Sequence, residues 1–265
     1  MPSIGVVGCG TIAQALLSAT QELDSIDVAG VYSRTASKAK SFLQTLSPSP
    51  PYLELPELIE QSDIVVEAAS GSVVPELAKS VFAMRKDLVI ASIGALLEHP
   101  EIIELARSSG SKLYAPSGAI VGLDGLKSAT IGKIDQVVMT SKKPPNGLAG
   151  SPYLLEHGIS LENITVEKEV FFGNALEAAR GFPSNLNVAA AVSIAGIGFE
   201  RTMVRLLAVP GLERNCHEIH IEGEFGTLNI AVENVPSDNP RTSRLAVFSI
   251  IRTVRDLQNT IQIGN

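Results

Sequence analysis

Hydrophobic and polar positions in residues 1–116 follow two alternating patterns. Short, mostly β-branched apolar runs are each followed by a longer stretch with the apolar spacing of an amphipathic helix. The short runs predict five strands, at 4–7, 28–32, 63–68, 87–91 and 112–115. Strands that alternate with helices are typical of a parallel, doubly wound sheet, so the pattern predicts an α/β domain over 1–116.

The pattern changes after Pro116, where alternating strands and longer polar connections replace it. Strands are predicted at 136–141, 165–172, 217–222 and 227–232, and helices at 174–181 and 187–207, with a loop over 142–153. This order predicts a second, α+β domain over 117–240, whose mixed or antiparallel sheet is covered on one face. A last helix, at 242–258 within the segment 241–265, is expected to pack back on the first domain.

A glycine turn joins the first predicted strand to the first helix. The sequence GCGTIA at 8–13 matches a dinucleotide-binding fingerprint with alanine at its third small position. Gly8 allows a tight turn, Gly10 lets a pyrophosphate approach the backbone, and Thr11 and Ile12 open a helix with unpaired N–H groups. The turn therefore predicts a Rossmann domain, although a βα turn without a ligand is the alternative interpretation.

No carboxylate follows the second predicted strand, where sheets that prefer NAD usually carry one. Ser33, Arg34 and Thr35 stand there instead, and a guanidinium can pair with the 2′-phosphate of NADP through two hydrogen bonds. The sequence thus favours NADP, or use of both NADP and NAD; otherwise Arg34 is a solvated surface charge. Ala69, just after the third strand, is expected at the same cofactor-binding edge of the sheet.

Composition narrows the range of partners. The chain has 265 residues and a formal net charge of −7, with no basic stripe, which argues against a nucleic-acid partner. No apolar run is long enough to span a bilayer, so no membrane partner is expected. The two cysteines, Cys9 and Cys216, have neither metal-ligand spacing nor a disulfide framework. We therefore expect a cytoplasmic protein without a metal site.

Two segments of the second half carry candidate chemistry. His217 and His220 lie in one predicted strand, three residues apart, so their side chains should face opposite sides of the sheet. Spacing alone leaves either histidine open to a structural or a catalytic role. Asn185 or Asn187 precedes the predicted helix over 187–207, where asparagine either caps the helix or holds a ligand through its amide.

Several sequence blocks in one order carry a family resemblance. They are VVGCGTIA at 6–13, VEAAS at 66–70, ASIGAL at 91–96, PSGAIVGLDGL at 116–126, FPSNLNVAA at 182–190, NCHEIHIEGEFG at 215–226 and NPRTSRLA at 239–246. Together they resemble the L-aspartate dehydrogenase family over nearly the whole chain. The resemblance implies an N-terminal Rossmann domain and a C-terminal α/β domain that also forms a homodimer.

The resemblance also implies an activity and three residue roles. L-Aspartate and NAD(P)⁺ would be interconverted with iminoaspartate and NAD(P)H, and the imine would hydrolyse to oxaloacetate and ammonia. His217 would be the catalytic histidine, and Ala119 and Asn187 would contact the cofactor near the nicotinamide. A histidine with a pKa near neutrality is suited to take a proton from the substrate amine, or to activate the water that attacks the imine.

Other functions stay open at this point. Homoserine dehydrogenase and dihydrodipicolinate reductase have a similar two-domain build, but the substrate-domain lysine of the first and the basic, histidine-rich motif of the second find no convincing match. A non-catalytic protein that binds NADPH is a further alternative. The sequence also leaves open whether the enzyme makes aspartate, degrades it or supplies iminoaspartate to pyridine-nucleotide synthesis.

Overall fold

The first five strands form one parallel sheet in a computed structural model that describes residues 2–22, 26–183, 187–237, 239, 242–257, 259–261 and 263–264. The strands are β1 (Ser3–Val7), β2 (Asp27–Tyr32), β3 (Ile64–Glu67), β4 (Asp87–Ile90) and β5 (Leu113–Tyr114). Their order in the sheet is β2-β1-β3-β4-β5. The chain leaves β2 on one side of β1 and returns as β3 on the other, which creates a crevice at the carboxyl ends of β1 and β3.

In the described part of this region, these strands are connected or followed by the α-helices α1 (Thr11–Thr20), α2 (Ala36–Leu43), α3 (Leu55–Gln61), α4 (Val74–Ala83), α5 (Ala95–Glu98) and α6 (Glu101–Ser109). Val6, Val66 and Val89 from three neighbouring strands are completely buried in the core between the sheet and its helices. The pattern had predicted one helix over 98–108, whereas the structure has two, divided at Pro100. A residue before proline is disfavoured in helical conformation, so the chain breaks at His99.

The second sheet contains five strands of mixed direction: β6 (Ile134–Lys143), β7 (Lys168–Asn174), β8 (Thr202–Ala208), β9 (Asn215–Gly223) and β10 (Gly226–Asn234). Their order is β10-β9-β6-β8-β7, and β6 and β8 are parallel while the other pairs are antiparallel. The helices of this region are α7 (Leu123–Ala129), α8 (Pro152–Glu156), α9 (Ala175–Gly181) and α10 (Asn187–Ala195). The two sheets confirm the predicted fold class, a Rossmann-like parallel sheet followed by an α+β unit with a mixed sheet.

The predicted helix over 187–207 was wrong in its second half. Helix α10 ends at Ala195, and Gly198 has a φ of +87°, a left-handed conformation that stops a helix. The chain then forms strand β8, whose Thr202, Val204 and Leu206 are buried. The predicted loop over 142–153 also began too early, because β6 continues through Lys142 and Lys143.

The last helix, α11 (Arg244–Asp256), contributes Ile250 and Val254 to the hydrophobic core that contains strands β1 and β3. The chain divides into two compact units, one formed by the described residues of Met1–Pro116 and Val247–Gln262, the other by those of Ser117–Ala246 and Ile263–Asn265. No helix in the described part of the chain has the length and apolar character needed to cross a bilayer.

Candidate active site

The glycine turn of the first unit is held tightly among three strands. Gly8 has a φ of +124°, and a Cβ atom at this position would overlap the backbone carbonyl of Ala68. The Gly8 N–H donates to the Tyr32 carbonyl over 2.8 Å, which ties the turn to the end of β2. Only glycine fits this position without moving the end of β3.

Gly10 leaves open space where a phosphate can approach. A Cβ atom built on Gly10 would have no heavy atom within 4 Å. Gly10 is also the N-cap of α1 and makes no side-chain capping bond, so N–H groups of the first helical turn remain available to a ligand. An open backbone surface at the N-terminus of a helix fits the pyrophosphate of a dinucleotide.

Most of the residues predicted to bind the cofactor line one cavity of about 490 Å³ in the first unit. They are Gly8, Gly10, Ser33, Arg34, Thr35 and Ala69, and Lys38 joins them from α2. Thr11 and Ile12, the first residues of α1, are not among the described residues that line this cavity. Arg34 is exposed beyond the end of β2, so its guanidinium and the Lys38 ammonium place positive charge at the cavity wall.

Glu67 is a buried carboxylate beside this cavity that the sequence analysis had not singled out. It ends β3 and is 0% exposed. Its Oε1 accepts from the Ala69 N–H over 2.7 Å and from the Ser92 hydroxyl over 3.1 Å, and its Oε2 accepts from the Ser92 N–H over 2.9 Å. Burial raises the pKa of this carboxyl, while the hydrogen bonds oppose that rise. Glu67 therefore links the loops that follow β3 and β4.

His217 lies in the second unit, on strand β9, and is only 4% exposed. Its Nδ1 is 2.8 Å from the Ser141 hydroxyl oxygen on the neighbouring strand β6, directly opposite in the register. Its Nε2 has no hydrogen-bond partner among the described residues. When Nδ1–H donates to Ser141, Nε2 carries the lone pair that can accept a proton.

The pKa of His217 lies well below the near-neutral value expected for a catalytic histidine. Burial, followed by the positive charge of Lys143, lowers the pKa of His217 to about 3. The imidazole is thus neutral at physiological pH, as a general base must be before it acts. Lys143 itself was placed in a predicted loop, although the strand alternation that continues through it gave a usable signal.

The two remaining predicted contacts, Ala119 and Asn187, lie in different elements of the second unit. Ala119 is half-buried in the loop before α7, and its carbonyl accepts from the Asn234 side chain over 2.8 Å. Asn234 is buried at the end of β10 and therefore fixes this loop. Asn187 is exposed and is the first residue of α10, while Asn185 lies outside the described residues.

His220 faces the opposite side of β9 from His217. Its ring nitrogens lie 2.7 Å from Asn229 Oδ1 and 2.8 Å from Glu222 Oε1, and these partners raise its pKa at an exposed position. In the described part of the chain, no three histidine, cysteine or carboxylate side chains come together as a metal site. The arrangement therefore offers acid–base chemistry at His217 and dinucleotide binding at the glycine turn.

Comparison with known sequence families matches both halves of the chain. Residues 124–257 match the family described as aspartate dehydrogenase, C-terminal. Residues 8–116 match the family described as homoserine dehydrogenase, NAD binding domain. The first match covers the strands that carry Ser141 and His217, and the second covers the glycine turn from Gly8 onward.

Individual relatives extend over the full chain. The L-aspartate dehydrogenase of Methanosarcina mazei is 44% identical, with 100% of both chains covered. L-aspartate dehydrogenase 3 of Bordetella bronchiseptica is 37% identical over 98% of this chain and 97% of its own. The crystal structure of aspartate dehydrogenase from Thermotoga maritima superposes with a TM-score of 0.75 at 26% identity, covering both chains completely. A hyperthermophilic archaeal homoserine dehydrogenase in complex with NADPH, at 12% identity and a TM-score of 0.61, shares the fold.

Proposed function

The chain belongs to the L-aspartate dehydrogenase family, and from this premise we propose that it oxidises L-aspartate to iminoaspartate with a nicotinamide dinucleotide, or runs the reverse reaction. The imine hydrolyses to oxaloacetate and ammonia. The bound cofactor supplies hydride acceptance in one direction and hydride donation in the other. Side chains of this protein bind the substrate and transfer its protons.

The observation that carries this proposal is the buried His217 imidazole paired with Ser141. An aspartate amine is protonated in water, and it must lose a proton before C2 can give up a hydride. A neutral imidazole whose Nδ1–H donates to the Ser141 hydroxyl presents Nε2 as the acceptor for that proton. In the reverse direction the protonated ring returns the proton to the amine. The hydrogen bond to Ser141 holds the orientation of the His217 ring.

The cofactor role rests on the glycine turn and on the segment after β2. We propose that the pyrophosphate lies over Gly10 at the N-terminus of α1, where a side chain would fill the space it needs. We propose NADP as the preferred cofactor and NAD as the second, because Arg34 and Lys38 line the cavity and β2 ends without a carboxylate. Ala119 and Asn187 stay proposed contacts of the nicotinamide end.

We also propose a homodimer, which the family resemblance implies. Light scattering should then give twice the chain mass of 27.9 kDa. A mass of one chain at micromolar concentration would contradict the dimer. The cytoplasmic location stays a prediction from the sequence.

The deciding experiment measures oxidation of NADPH, and separately of NADH, by the purified protein with oxaloacetate and ammonia. We expect turnover that requires both oxaloacetate and ammonia. We also expect a higher kcat/KM for NADPH than for NADH. His217→Ala should lower kcat by about a hundredfold or more without changing cofactor affinity, since general base catalysis contributes on that scale. His220→Ala, on the same strand but the opposite face, is the matched control.

Two outcomes would redirect the proposal. NADPH binding without turnover would favour a dehydrogenase with another substrate or a non-catalytic binding protein. Full turnover by the His217→Ala variant would remove His217 from the chemistry while leaving the aspartate activity intact.

A further inference from the structure

Lys143 is a desolvated cation in the second unit without a described anionic partner. It is the last residue of β6 and is half-buried. No carboxylate among the described residues forms an ion pair with the Lys143 ammonium, and no described group accepts a hydrogen bond from that ammonium. Its neighbour Lys142 behaves differently, because the Lys142 ammonium is 2.6 Å from the Glu218 carboxylate. A charge removed from water without a partner is unfavourable, and burial accordingly lowers the pKa of Lys143.

Strand geometry places Lys143 on the same face as the candidate base. Side chains two residues apart on a strand point to the same side, so Lys143 shares a face with Ser141. Ser141 lies opposite His217 in the antiparallel register of β6 and β9. Lys142 and Glu218 are shifted by one residue on each strand and lie on the other face. The ammonium of Lys143, the Ser141 hydroxyl and the His217 imidazole therefore belong to one cluster.

The chemistry of this cluster suits a carboxylate. An ammonium and a hydroxyl can both donate to a carboxylate oxygen, and a charged donor in a desolvated site binds an anion more strongly than a neutral donor does. The positive charge of Lys143 acts on His217 strongly enough to lower its pKa, so the two groups are close in electrostatic terms. An anion bound by Lys143 would thus lie beside the base.

We propose that Lys143 binds a carboxylate of the dicarboxylate substrate and so holds the substrate against His217. This inference rests on the proposed function and adds the group that recognises the charge of the substrate. Binding of the substrate carboxylate at Lys143 also changes the pKa of His217. A bound carboxylate offsets the Lys143 charge, so the pKa of His217 rises when substrate is present, and the base becomes stronger when it is needed.

The test compares Lys143→Met with the matched control Lys142→Met in the NADPH-saturated enzyme. Methionine keeps the length of the side chain and removes its charge, while Lys142 carries the same side chain on the opposite face. We expect the KM for oxaloacetate and the Kd for the unreactive dicarboxylate succinate to rise about 10- to 100-fold in Lys143→Met, the range for one hydrogen bond to a charged group. The Lys142→Met variant should stay within about twofold.

Two further measurements distinguish carboxylate binding by Lys143 from a merely structural effect of its replacement. They are the succinate affinity of Lys143→Arg and the pKa of the His217 ring. Arginine keeps the charge, so this variant should regain at least part of the succinate affinity. An NMR titration of the His217 ring should show a higher pKa in Lys143→Met than in the parent protein, because one of the two causes of its low pKa is gone.

The outcomes separate this inference from the proposed function. Unchanged succinate affinity in Lys143→Met would overturn the inference even if the parent enzyme turns over oxaloacetate. A lower kcat with unchanged KM would also overturn it, because Lys143 would then act in the chemical step. If the parent protein binds succinate but shows no aspartate activity, loss of succinate binding in Lys143→Met still supports the carboxylate site, and only the proposed reaction fails.

Discussion

Replacement of His217 by asparagine should flatten the dependence of stability on pH. In the folded protein the pKa of His217 is about 3, because the ring is buried and lies near the Lys143 charge. In the unfolded chain it is about 6.5. Between these two values the unfolded chain binds a proton that the folded protein does not accept. Stability from this group is therefore complete above pH 6.5 and is progressively lost as the pH falls towards 3.

The size of the effect follows from the two pKa values. At pH 5 the unfolded histidine is almost fully protonated and the folded one is almost fully neutral, so the parent protein loses about 2 kcal/mol relative to pH 8 through this residue. That loss corresponds to a fall of about 4 to 8 °C in Tm for a chain of this size. Asparagine does not titrate in this range, so the His217→Asn variant should lack this part of the loss.

The measurement is thermal unfolding of the cofactor-free protein at pH 8 and pH 5. We expect the stability difference between the parent protein and His217→Asn to change by about 2 kcal/mol between the two pH values, in favour of the variant at pH 5. His220→Asn is the control, since the pKa of this exposed histidine is raised, and its change should have the opposite sign. An equal loss of stability in the parent protein and in His217→Asn would refute the argument that His217 is held neutral.

Two further predictions concern the cofactor site. Arg34→Ala should weaken NADPH binding about 10- to 100-fold while changing NADH affinity less than about threefold, as fluorescence titration can measure; an equal loss for both cofactors would contradict a 2′-phosphate contact. Glu67→Gln should lower stability by about 1 to 3 kcal/mol, because its amide cannot accept from the three donors of Ala69 and Ser92 at once. Calorimetry tests this against Glu76→Gln, a change of an exposed glutamate in the first turn of α4, and equal stability of the two variants would argue against it.

The first sheet was predictable because its apolar runs and helical stretches follow one another without interruption. Each of its five strands was found within a few residues, and the turn at Gly8 lay where the pattern put it. Strand β8 was missed because apolar residues stay frequent from α10 into it. Apolar content alone does not distinguish a buried helix from a buried strand, although Gly196, the left-handed Gly198 and the charged pair Glu200 and Arg201 mark the break between them.

The candidate site was predictable only in part, because its chemistry depends on how strands β6 and β9 pair in the second sheet. The resemblance pointed to His217, yet neither its partner Ser141 nor its low pKa can be read without knowing that β6 lies beside β9. Lys143 looks identical to Lys142 in the sequence, and only the strand that extends through both residues separates their environments. In the sequence, Glu67 is one more residue of a predicted strand. Only the fold brings the Ala69 N–H and the N–H and hydroxyl of Ser92 to its carboxylate.

The return of α11 to the first unit has a consequence for the order of synthesis. Ile250 and Val254 complete the core of the parallel sheet, but all of Ser117–Ala246 is translated between that sheet and this helix. At ordinary translation rates the interval is on the order of ten seconds. During that time the nascent sheet exposes the apolar surface that α11 later covers, and by the end of it all five strands of the second unit have been translated. A ribosome-bound chain thus has the whole mixed sheet of its second unit before it has the last helix of its first unit.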